Sequence, residues 1–162
     1  MSRVIAIAVI LSAFCLSAEA QTVTVTVLNE AGAQIVLKAA AESARQKSAP
    51  SAIAVVDPAG DLLAFRRMDG VRPDSVDLAI QKARTAARLR RSTAEIEDNI
   101  NHGRTAFVTA GIAALRGGVP VLLDGQVVGA VGVAGLSKET DTAIAETAAT
   151  SLTVPTKTPR RN

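Results

Sequence analysis

The sequence predicts an α+β domain in which helices pack on one central antiparallel sheet. Two observations support this class. Residues 53–70 and 117–135 each contain an apolar run, a Gly-containing turn and a second apolar run, which is the pattern of a β-hairpin. Ala-rich segments with helical spacing lie around and between these two hairpin blocks. Because hairpins pair antiparallel strands, the helices are expected to cover an antiparallel sheet.

Both hairpin blocks contain residues suited to a chain reversal. In the first, strands at 52–56 and 62–66 flank a turn in which Pro58 presets its own φ and Gly60 tolerates a positive φ. The second block turns on Asp124-Gly125, a dipeptide strongly favoured in two-residue hairpin loops.

Glycines recur after the second turn. Gly129, Gly132 and Gly135 stand at every third position. A glycine within a strand often marks the close approach of another backbone or of a ligand. We therefore expect a helix or a ligand to lie against the sheet at these positions.

Four helices are predicted around the hairpin blocks. Capping residues and apolar spacing place them at about 29–47, 73–90, 92–100 and 138–151. The expected apolar positions of the first helix are Ile35, Ala39, Ala40 and Ala44.

Two further segments allow alternatives. Residues 21–28 alternate Thr and Val, which indicates an extended arm or an edge strand. Residues 105–115 are expected to form a short helix or a loop that lies on the sheet.

The first twenty residues have the pattern of a secretory signal peptide. Arg3 is followed by an apolar run at 4–16 and by Ala18-Glu19-Ala20, an A-x-A cleavage signal. This apolar run is shorter than the roughly 20 residues that a membrane-spanning helix needs. We expect a cleaved leader at 1–20, no membrane span, and a mature protein that is periplasmic or secreted.

The rest of the chain is expected to form a single domain at 21–152, followed by a disordered basic tail at 153–162. The only cysteine, Cys15, lies in the predicted leader, which excludes disulfides and thiolate chemistry from the mature protein. The chain has no Trp or Tyr on which bases could stack, so nucleic acid is not an expected partner.

Basic residues cluster between positions 66 and 91. A solvated helix face is the expected interpretation, and an anion-binding patch for carboxylates or an acidic surface is the alternative. The residues concerned are Arg66, Arg67, Arg72, Lys82, Arg84, Arg88, Arg90 and Arg91.

The order of the motifs resembles the GlcG/HbpS-like family, which includes the C-terminal domain of PduO-type corrinoid adenosyltransferases. The first block contains AVVDxxGxLLAFxRMDG, and the following helix contains KAxTA from Lys82 to Ala86. The second block contains GGxP and DGxxxGAxGVxG, and the last helix has an acidic residue at Asp141. The resemblance spans about residues 29–152.

This resemblance implies a three-layer α-β-α, profilin-like fold with helices on both faces of the sheet. It also implies homo-oligomers, from dimer to octamer, and haem binding. Exported members of the family resemble haem-binding or haem-sensing accessory proteins, which agrees with the predicted leader.

Two residues are candidate haem ligands. Iron in haem proteins is held by His, Met, Cys or Tyr, and the mature chain has no Cys or Tyr. His102, the only histidine, is the candidate metal ligand, although it is equally well explained as an ordinary loop residue. Met68 is the second candidate, although core filling is its more usual role. A threonine hydroxyl or water is a further possibility.

Three arginines are candidates for binding the haem propionates. Arg66, Arg67 and Arg104 lie close in sequence to the candidate ligands. For Arg67 the alternative is an ion pair with Asp69 that secures the end of the strand.

The resemblance and the predicted leader together imply an exported, non-catalytic haem-binding accessory or sensing protein that acts as a homo-oligomer. One alternative is an enzyme that uses Lys82 and Asp57 on a small metabolite in a pocket at an oligomer interface. Another is a structural partner of an exported enzyme or sensor. No catalytic residue is assigned, because the chain contains no GxGxxG, P-loop or GxSxG motif.

Overall fold

The computed structural model describes residues 21–152, so the predicted leader at 1–20 and tail at 153–162 lie outside the described residues. Four strands form one sheet in the order β2-β1-β4-β3, and every neighbouring pair is antiparallel. The strands are β1 (Ala52–Val56), β2 (Leu62–Arg67), β3 (Gly118–Leu123) and β4 (Gln126–Ala134). The helices are α1 (Glu30–Gln46), α2 (Asp74–Leu89), α3 (Thr93–Asn101) and α4 (Lys138–Ala149).

Helices cover both faces of the sheet, which confirms the predicted fold class. Side chains alternate between faces along a strand, and β1 is buried on both sides. Ile53 and Val55 pack in one core with residues of α1 and α4. Ala54 and Val56 pack in a second core with residues of α2. The result is a three-layer α-β-α arrangement.

The layer between α2 and the sheet is thin because small residues line it. Most of the buried side chains of this second core are Ala. At Gly132 of β4, a Cβ atom would lie only 2.1 Å from the Ala79 carbonyl oxygen of α2. The expectation that glycine admits a helix is therefore confirmed at Gly132.

The two hairpins form at the predicted turns. Gly60 has a φ of 91°, and the Asp61 N–H donates to Asp57 Oδ1 across that turn. In the second hairpin, Asp124 and Gly125 have φ values of 48° and 77°, the pair of positive angles that a type I′ turn requires.

Part of the basic cluster holds the first hairpin against α2. Arg84 Nε donates to the Gly60 carbonyl at 3.0 Å, and Arg88 Nε donates to the Ala59 carbonyl at 2.7 Å. These two residues therefore have a structural role. Lys82 also differs from a solvated position, because it is only 2% exposed.

The apolar face of α1 differs from the predicted one. Ile35 is 51% exposed, although Ala40 and Ala44 are buried as expected. The helix is rotated relative to this prediction, so a different face contacts the sheet and α4. This face consists of Ala33, Val36, Leu37, Ala40, Ala41 and Ala44.

The two ambiguous segments take irregular forms. Residues 21–27 are exposed and belong to no helix or strand, and the Leu28 N–H donates to the Val128 carbonyl at 2.7 Å. Residues Thr105–Thr109 form a short 3₁₀ helix with no buried side chain, and an irregular segment leads from there to β3.

A buried ion pair joins the two helical layers. Lys82 Nζ of α2 donates to Asp141 Oδ2 of α4 at 3.0 Å and to the Val133 carbonyl of β4 at 2.8 Å. The side chains of Lys82 and Asp141 are 3% and 6% exposed. Because α2 and α4 pack on opposite faces of the sheet, this contact ties all three layers together.

We expect removal of one member of this pair to lower the free energy of unfolding far more than removal of both. The variant Lys82→Met leaves the Asp141 carboxylate buried without its counter-charge, and should lower the free energy of unfolding by about 3–5 kcal/mol. The double variant Lys82→Met/Asp141→Leu buries no charge, and should lose much less than the sum of the two single variants.

Urea unfolding of the wild type, both single variants and the double variant measures this coupling. Arg91→Met, which removes an exposed partner of Glu95, serves as the control and should change stability by less than about 1 kcal/mol. Additive losses at Lys82 and Asp141 would contradict the proposed link.

Candidate functional site

Two regions of the domain have the features of a binding site. One is the buried pair of Lys82 and Asp141 together with the depression beside it. The other is the exposed segment that follows α3 and contains His102.

Burial dominates the protonation of the buried pair. Burial lowers the pKa of Lys82, and the neighbouring Asp141 carboxylate offsets only part of that effect. Burial likewise raises the pKa of Asp141, and the attraction of Lys82 offsets only part of this. Each charged form is therefore held less favourably than in water, which is typical of a buried ion pair.

Glycines surround this pair because there is no room for side chains. A Cβ atom at Gly117 would lie 3.0 Å from Lys82 Nζ and 2.9 Å from the Asp141 Cβ. A Cβ atom at Gly118 would lie 2.5 Å from the Lys82 carbonyl oxygen. The two glycines at the start of β3 thus leave room for the Lys82 side chain to reach Asp141 of α4.

The two oxygens of Asp141 have different surroundings. Oδ2 accepts the hydrogen bond from Lys82, whereas Oδ1 is buried and has no hydrogen-bond partner within the described residues. The Gly135 backbone N–H lies close enough to favour the charged carboxylate, and so helps to lower its pKa. It does not make a hydrogen bond of standard geometry with Oδ1.

Two adjoining depressions of about 190 and 270 Å³ open beside Asp141. We call them together the Gly135 cleft. The residues shared by both depressions are Arg72, Ser75, Gly135 and Leu136. The smaller depression also reaches Lys82 and Asp141 at its inner end.

A surface network holds one wall of the Gly135 cleft. Glu97 of α3 forms ion pairs with Arg116 at 3.4 Å and with Lys138 of α4 at 2.9 Å. Partial burial would raise the pKa of Glu97, but hydrogen bonds from Lys138 and from the Arg116 backbone N–H outweigh it and lower that pKa. Arg116 also pairs with Asp98. These contacts connect α3, the entry to β3 and the start of α4.

His102 lies at the C-terminal end of α3 and is exposed. Its Nδ1 is 2.7 Å from the Asp98 carbonyl oxygen. In the tautomer that donates from Nδ1, this contact orients the ring and leaves Nε2 available as a ligand. His102 is therefore the cap residue at the end of α3.

The residues after His102 combine a cation with exposed apolar groups. The Arg104 guanidinium lies over the Phe107 ring, 5.1 Å from its centroid. Val108 is 66% exposed. His102, Arg104, Phe107 and Val108 thus form one surface, which we call the His102 surface.

The other predicted haem contacts lie elsewhere in the chain. Met68 follows β2 and packs against both cores, as expected of a core-filling residue. Arg66 and Arg67 are exposed on β2. Because β2 and β3 are opposite edges of the sheet and α3 packs beside β3, these residues are separated from His102 within one chain.

The alternative ion pair of Arg67 with Asp69 is not found among the described residues, and Lys82 and Asp57, the residues named for an enzyme pocket at an oligomer interface, lie apart within one chain. Arg67 does not pair with Asp69, because its Nη2 donates to the Val71 carbonyl at 2.7 Å. Lys82 does not meet Asp57, whose Oδ1 accepts a hydrogen bond within its own turn. The Asp57 turn follows Val56, at one end of β1. Lys82 contacts Val133 of β4, which pairs with Ile53 near the other end of β1.

The pairing of Lys82 with Asp141 was missed by the sequence analysis, although a signal for it exists. Position 82 falls three residues after Ala79 and four before Ala86, on the buried side of α2. A lysine at such a position requires a buried acceptor. Asp141, in the first turn of the last helix, is an acidic residue to which the local sequence pattern assigns no role.

Two further features are absent from residues 21–152. This part of the chain has no helix with the length and hydrophobicity needed to cross a membrane. It also has no cluster of three or more His, Cys, Asp or Glu side chains arranged to hold a metal ion.

Comparison with known proteins agrees with the fold and the motifs. The family model described as "Haem degrading protein HbpS-like" matches residues 28–150. Protein GlcG of Escherichia coli strain K12 is 46% identical over 111 residues, which are 68% of this chain and 83% of GlcG.

Two solved structures are similar in both sequence and fold. The crystal structure of HbpS has 32% identity and a TM-score of 0.76, and the match covers 83% of this chain and 96% of HbpS. The crystal structure of a PduOC–haem complex has 28% identity and a TM-score of 0.70, with 78% of this chain and 96% of that chain covered. The family resemblance that was based on the order of the two hairpin blocks is thus confirmed. The chain belongs to the HbpS-like family.

Proposed function

We propose that this protein binds haem and that His102 supplies an axial ligand. The observation that carries the proposal is the exposed imidazole whose Nδ1 is held by the Asp98 carbonyl oxygen. The family is described as haem degrading, and the related PduOC has been crystallised with haem. Both facts support haem as the ligand of this chain.

The donor chemistry at His102 suits haem iron. A neutral imidazole is a common axial ligand, and a hydrogen bond from its second nitrogen to a carbonyl sets both the tautomer and the ring orientation. Bound haem would supply an iron centre for ligand exchange or electron transfer. The protein orients the imidazole through its Nδ1 and leaves Nε2 open to solvent.

The neighbours of His102 suit the rest of the haem molecule. The propionates need cationic partners, and Arg104 remains charged at all relevant pH values. Phe107 and Val108 offer apolar area to the porphyrin. The His102 surface therefore combines the three types of contact that haem requires.

Met68, Arg66 and Arg67 enter the proposal through a second subunit. We infer that the protein forms homo-oligomers, because large apolar side chains are exposed on both sheet edges, among them Leu62 at 44% and Leu122 at 55%. Association of two copies can bring the β2 edge of one close to the His102 surface of the other. The haem contacts expected from the sequence would then come from two chains.

We further propose that the protein acts outside the cytoplasm as a non-catalytic accessory or sensing protein, together with an exported partner. The support is the leader pattern at residues 1–20. Haem degradation is a second candidate function, favoured by the description of the family.

Titration of hemin into the mature protein tests the proposed function. We expect a saturable shift of the Soret band, with affinity about 10- to 100-fold lower in His102→Ala, the loss typical of a disturbed metal site. Asn101→Ala, a change at the neighbouring exposed position, is the control and should bind as the wild type does. Loss of the Soret band over time after addition of a reductant would favour degradation.

Two results of this titration would contradict the assignment. One is the absence of any Soret shift. The other is a shift that is unchanged when His102→Ala and Met68→Ala are combined.

Sedimentation velocity tests the proposed oligomer. At micromolar concentration the mature chain should sediment as a dimer or a larger assembly, up to an octamer. A Leu62→Lys/Leu122→Lys variant should shift the distribution toward monomer, because each change places a charge in an apolar contact. A wild-type monomer at this concentration would contradict the proposal.

The N-terminus of the protein after expression in a Gram-negative host tests export. Mass spectrometry should find a chain that begins at Gln21 in the periplasmic or secreted fraction. A cytoplasmic chain that retains residues 1–20 would contradict the proposed leader.

A further inference from the structure

Arg84 and Arg88 of α2 are two cations without a counter-charge. They stand one helical turn apart, both are exposed, and neither forms an ion pair within residues 21–152. Arg72 and Arg91, by contrast, each pair with an acidic side chain. Since like charges four residues apart destabilise a helix, an anion bound to both arginines would relieve their repulsion.

The turn of the first hairpin holds both guanidinium groups in place. Arg84 Nε donates to the Gly60 carbonyl, and Arg88 Nε donates to the Ala59 carbonyl. A Cβ atom at Gly60 would lie 2.8 Å from Arg88 Nε and 3.2 Å from Arg84 Cγ, so both side chains lie against this glycine. Because the two acceptors belong to consecutive residues, the two guanidinium groups are held close together.

The outer nitrogens of both groups remain free to bind a ligand. Within the described part of the chain, each of these guanidinium groups makes its hydrogen bond through Nε alone. The Nη groups of an arginine are donors in a fixed fork that matches the oxygens of a carboxylate or a phosphate. Since the turn already orients Arg84 and Arg88, less side-chain freedom is lost when such an anion binds.

Both arginines line a depression of about 420 Å³ between α2 and the segment that leads to β3. We call it the Arg84 groove. None of its lining residues is acidic, and Leu89 and Ile112 give it apolar walls. The Ala113 N–H donates to Thr85 Oγ1 at 3.0 Å, which fastens the far wall to α2. The groove thus places two cations beside an apolar surface.

The number and spacing of the charges select the type of anion. Two adjacent guanidinium groups favour one group with two negative charges over a single carboxylate. A phosphate monoester carries a charge of about −1.5 to −2 at pH 7 and has three acceptor oxygens. A dicarboxylate fits less well, because its two charges are apart whereas the two guanidinium groups are held at neighbouring carbonyls.

We propose that the Arg84 groove binds a small phosphate monoester. Its phosphate contacts the Nη groups of Arg84 and Arg88, and its apolar part lies against Leu89 and Ile112. The size of the depression limits this part to about one ring or a short chain. The groove shares no residue with the His102 surface, and the proposal does not depend on haem binding.

Calorimetric titration of the mature protein with phenyl phosphate and with benzoate tests the type of anion. Both ligands carry the same ring, but only phenyl phosphate can carry two negative charges. We expect phenyl phosphate to bind saturably and about tenfold more tightly than benzoate, because more charge-assisted hydrogen bonds form. Leu89→Gln should weaken binding of phenyl phosphate several-fold and leave binding of inorganic phosphate unchanged.

Arginine variants test the phosphate contact. Arg84→Gln and Arg88→Gln should each weaken binding of phenyl phosphate about tenfold or more, because a charge-assisted contact is lost. Arg91→Gln is the matched control and should bind as the wild type does, since this exposed arginine pairs with Glu95 outside the groove.

NMR of the wild type locates the ligand without relying on any variant. Phenyl phosphate should shift the backbone amide signals of Gly60 and of residues 110–113, which lie at the turn and in the wall of the groove. The amide signals of Arg66 and Arg67 on β2 should stay unchanged.

Four results would overturn the proposal. In the first, phenyl phosphate does not bind saturably at millimolar concentration. In the second, benzoate binds as tightly, which would exclude selection of a doubly charged group. In the third, binding is unaffected by Arg84→Gln and by Arg88→Gln. In the fourth, the shifted amide signals lie outside the groove. Each result is independent of the hemin titration, which reads the Soret band.

Discussion

The contact between Lys82 and Asp141 is the constraint on which the rest of the structure depends. An amine on one helical layer must reach a carboxylate on the other, past the strands that lie between them. Both groups are almost fully buried, and burial disfavours their charged forms. A contact of this kind is costly unless its geometry is well defined.

The small residues of the sheet follow from this constraint. At Gly117 and Gly118 a side chain would collide with Lys82 or with Asp141, and at Gly132 it would collide with the backbone of α2. Close approach of α2 brings Lys82 within reach of the Val133 carbonyl, which accepts its second hydrogen bond. The Ala-rich core on this face therefore serves the ion pair as well as the packing of the layers.

The same constraint produces a second chemical feature. Because Lys82 uses only one oxygen of Asp141, the other remains as a buried acceptor beside the Gly135 cleft. The His102 surface is different in kind, since it is exposed and lies at the end of α3. The domain thus has two candidate binding regions, the Gly135 cleft beside the buried pair and the exposed His102 surface.

Much of the fold could be predicted from local patterns. The turns at Gly60 and Asp124-Gly125 depend on residues close in sequence, and so do the caps at Asn29 and Ser92. The side of α1 that faces the core was less predictable, because Ala occurs on several of its sides and Ile35 proved to be exposed.

The candidate site was harder to predict because its contacts are long-range. Lys82 and Asp141 are 59 residues apart, and nothing local relates them. The family motifs contain both residues but do not show that they touch. Arg67 is a smaller example, because its contact with the Val71 carbonyl depends on how the chain leaves β2. His102 could be chosen from the sequence because it is the only histidine. Its contact with the Asp98 carbonyl oxygen could not be predicted.

The most direct test of the central contact is NMR observation of the lysine side chains in protein labelled with ¹⁵N at lysine Nζ. A buried ammonium held by two acceptors exchanges its protons slowly with water. We expect one protected ammonium signal at neutral pH, which is lost in Lys82→Met and strongly altered in Asp141→Leu. If every lysine ammonium exchanges rapidly, or if the protected signal is unchanged in Asp141→Leu, the ion pair does not join the layers as described.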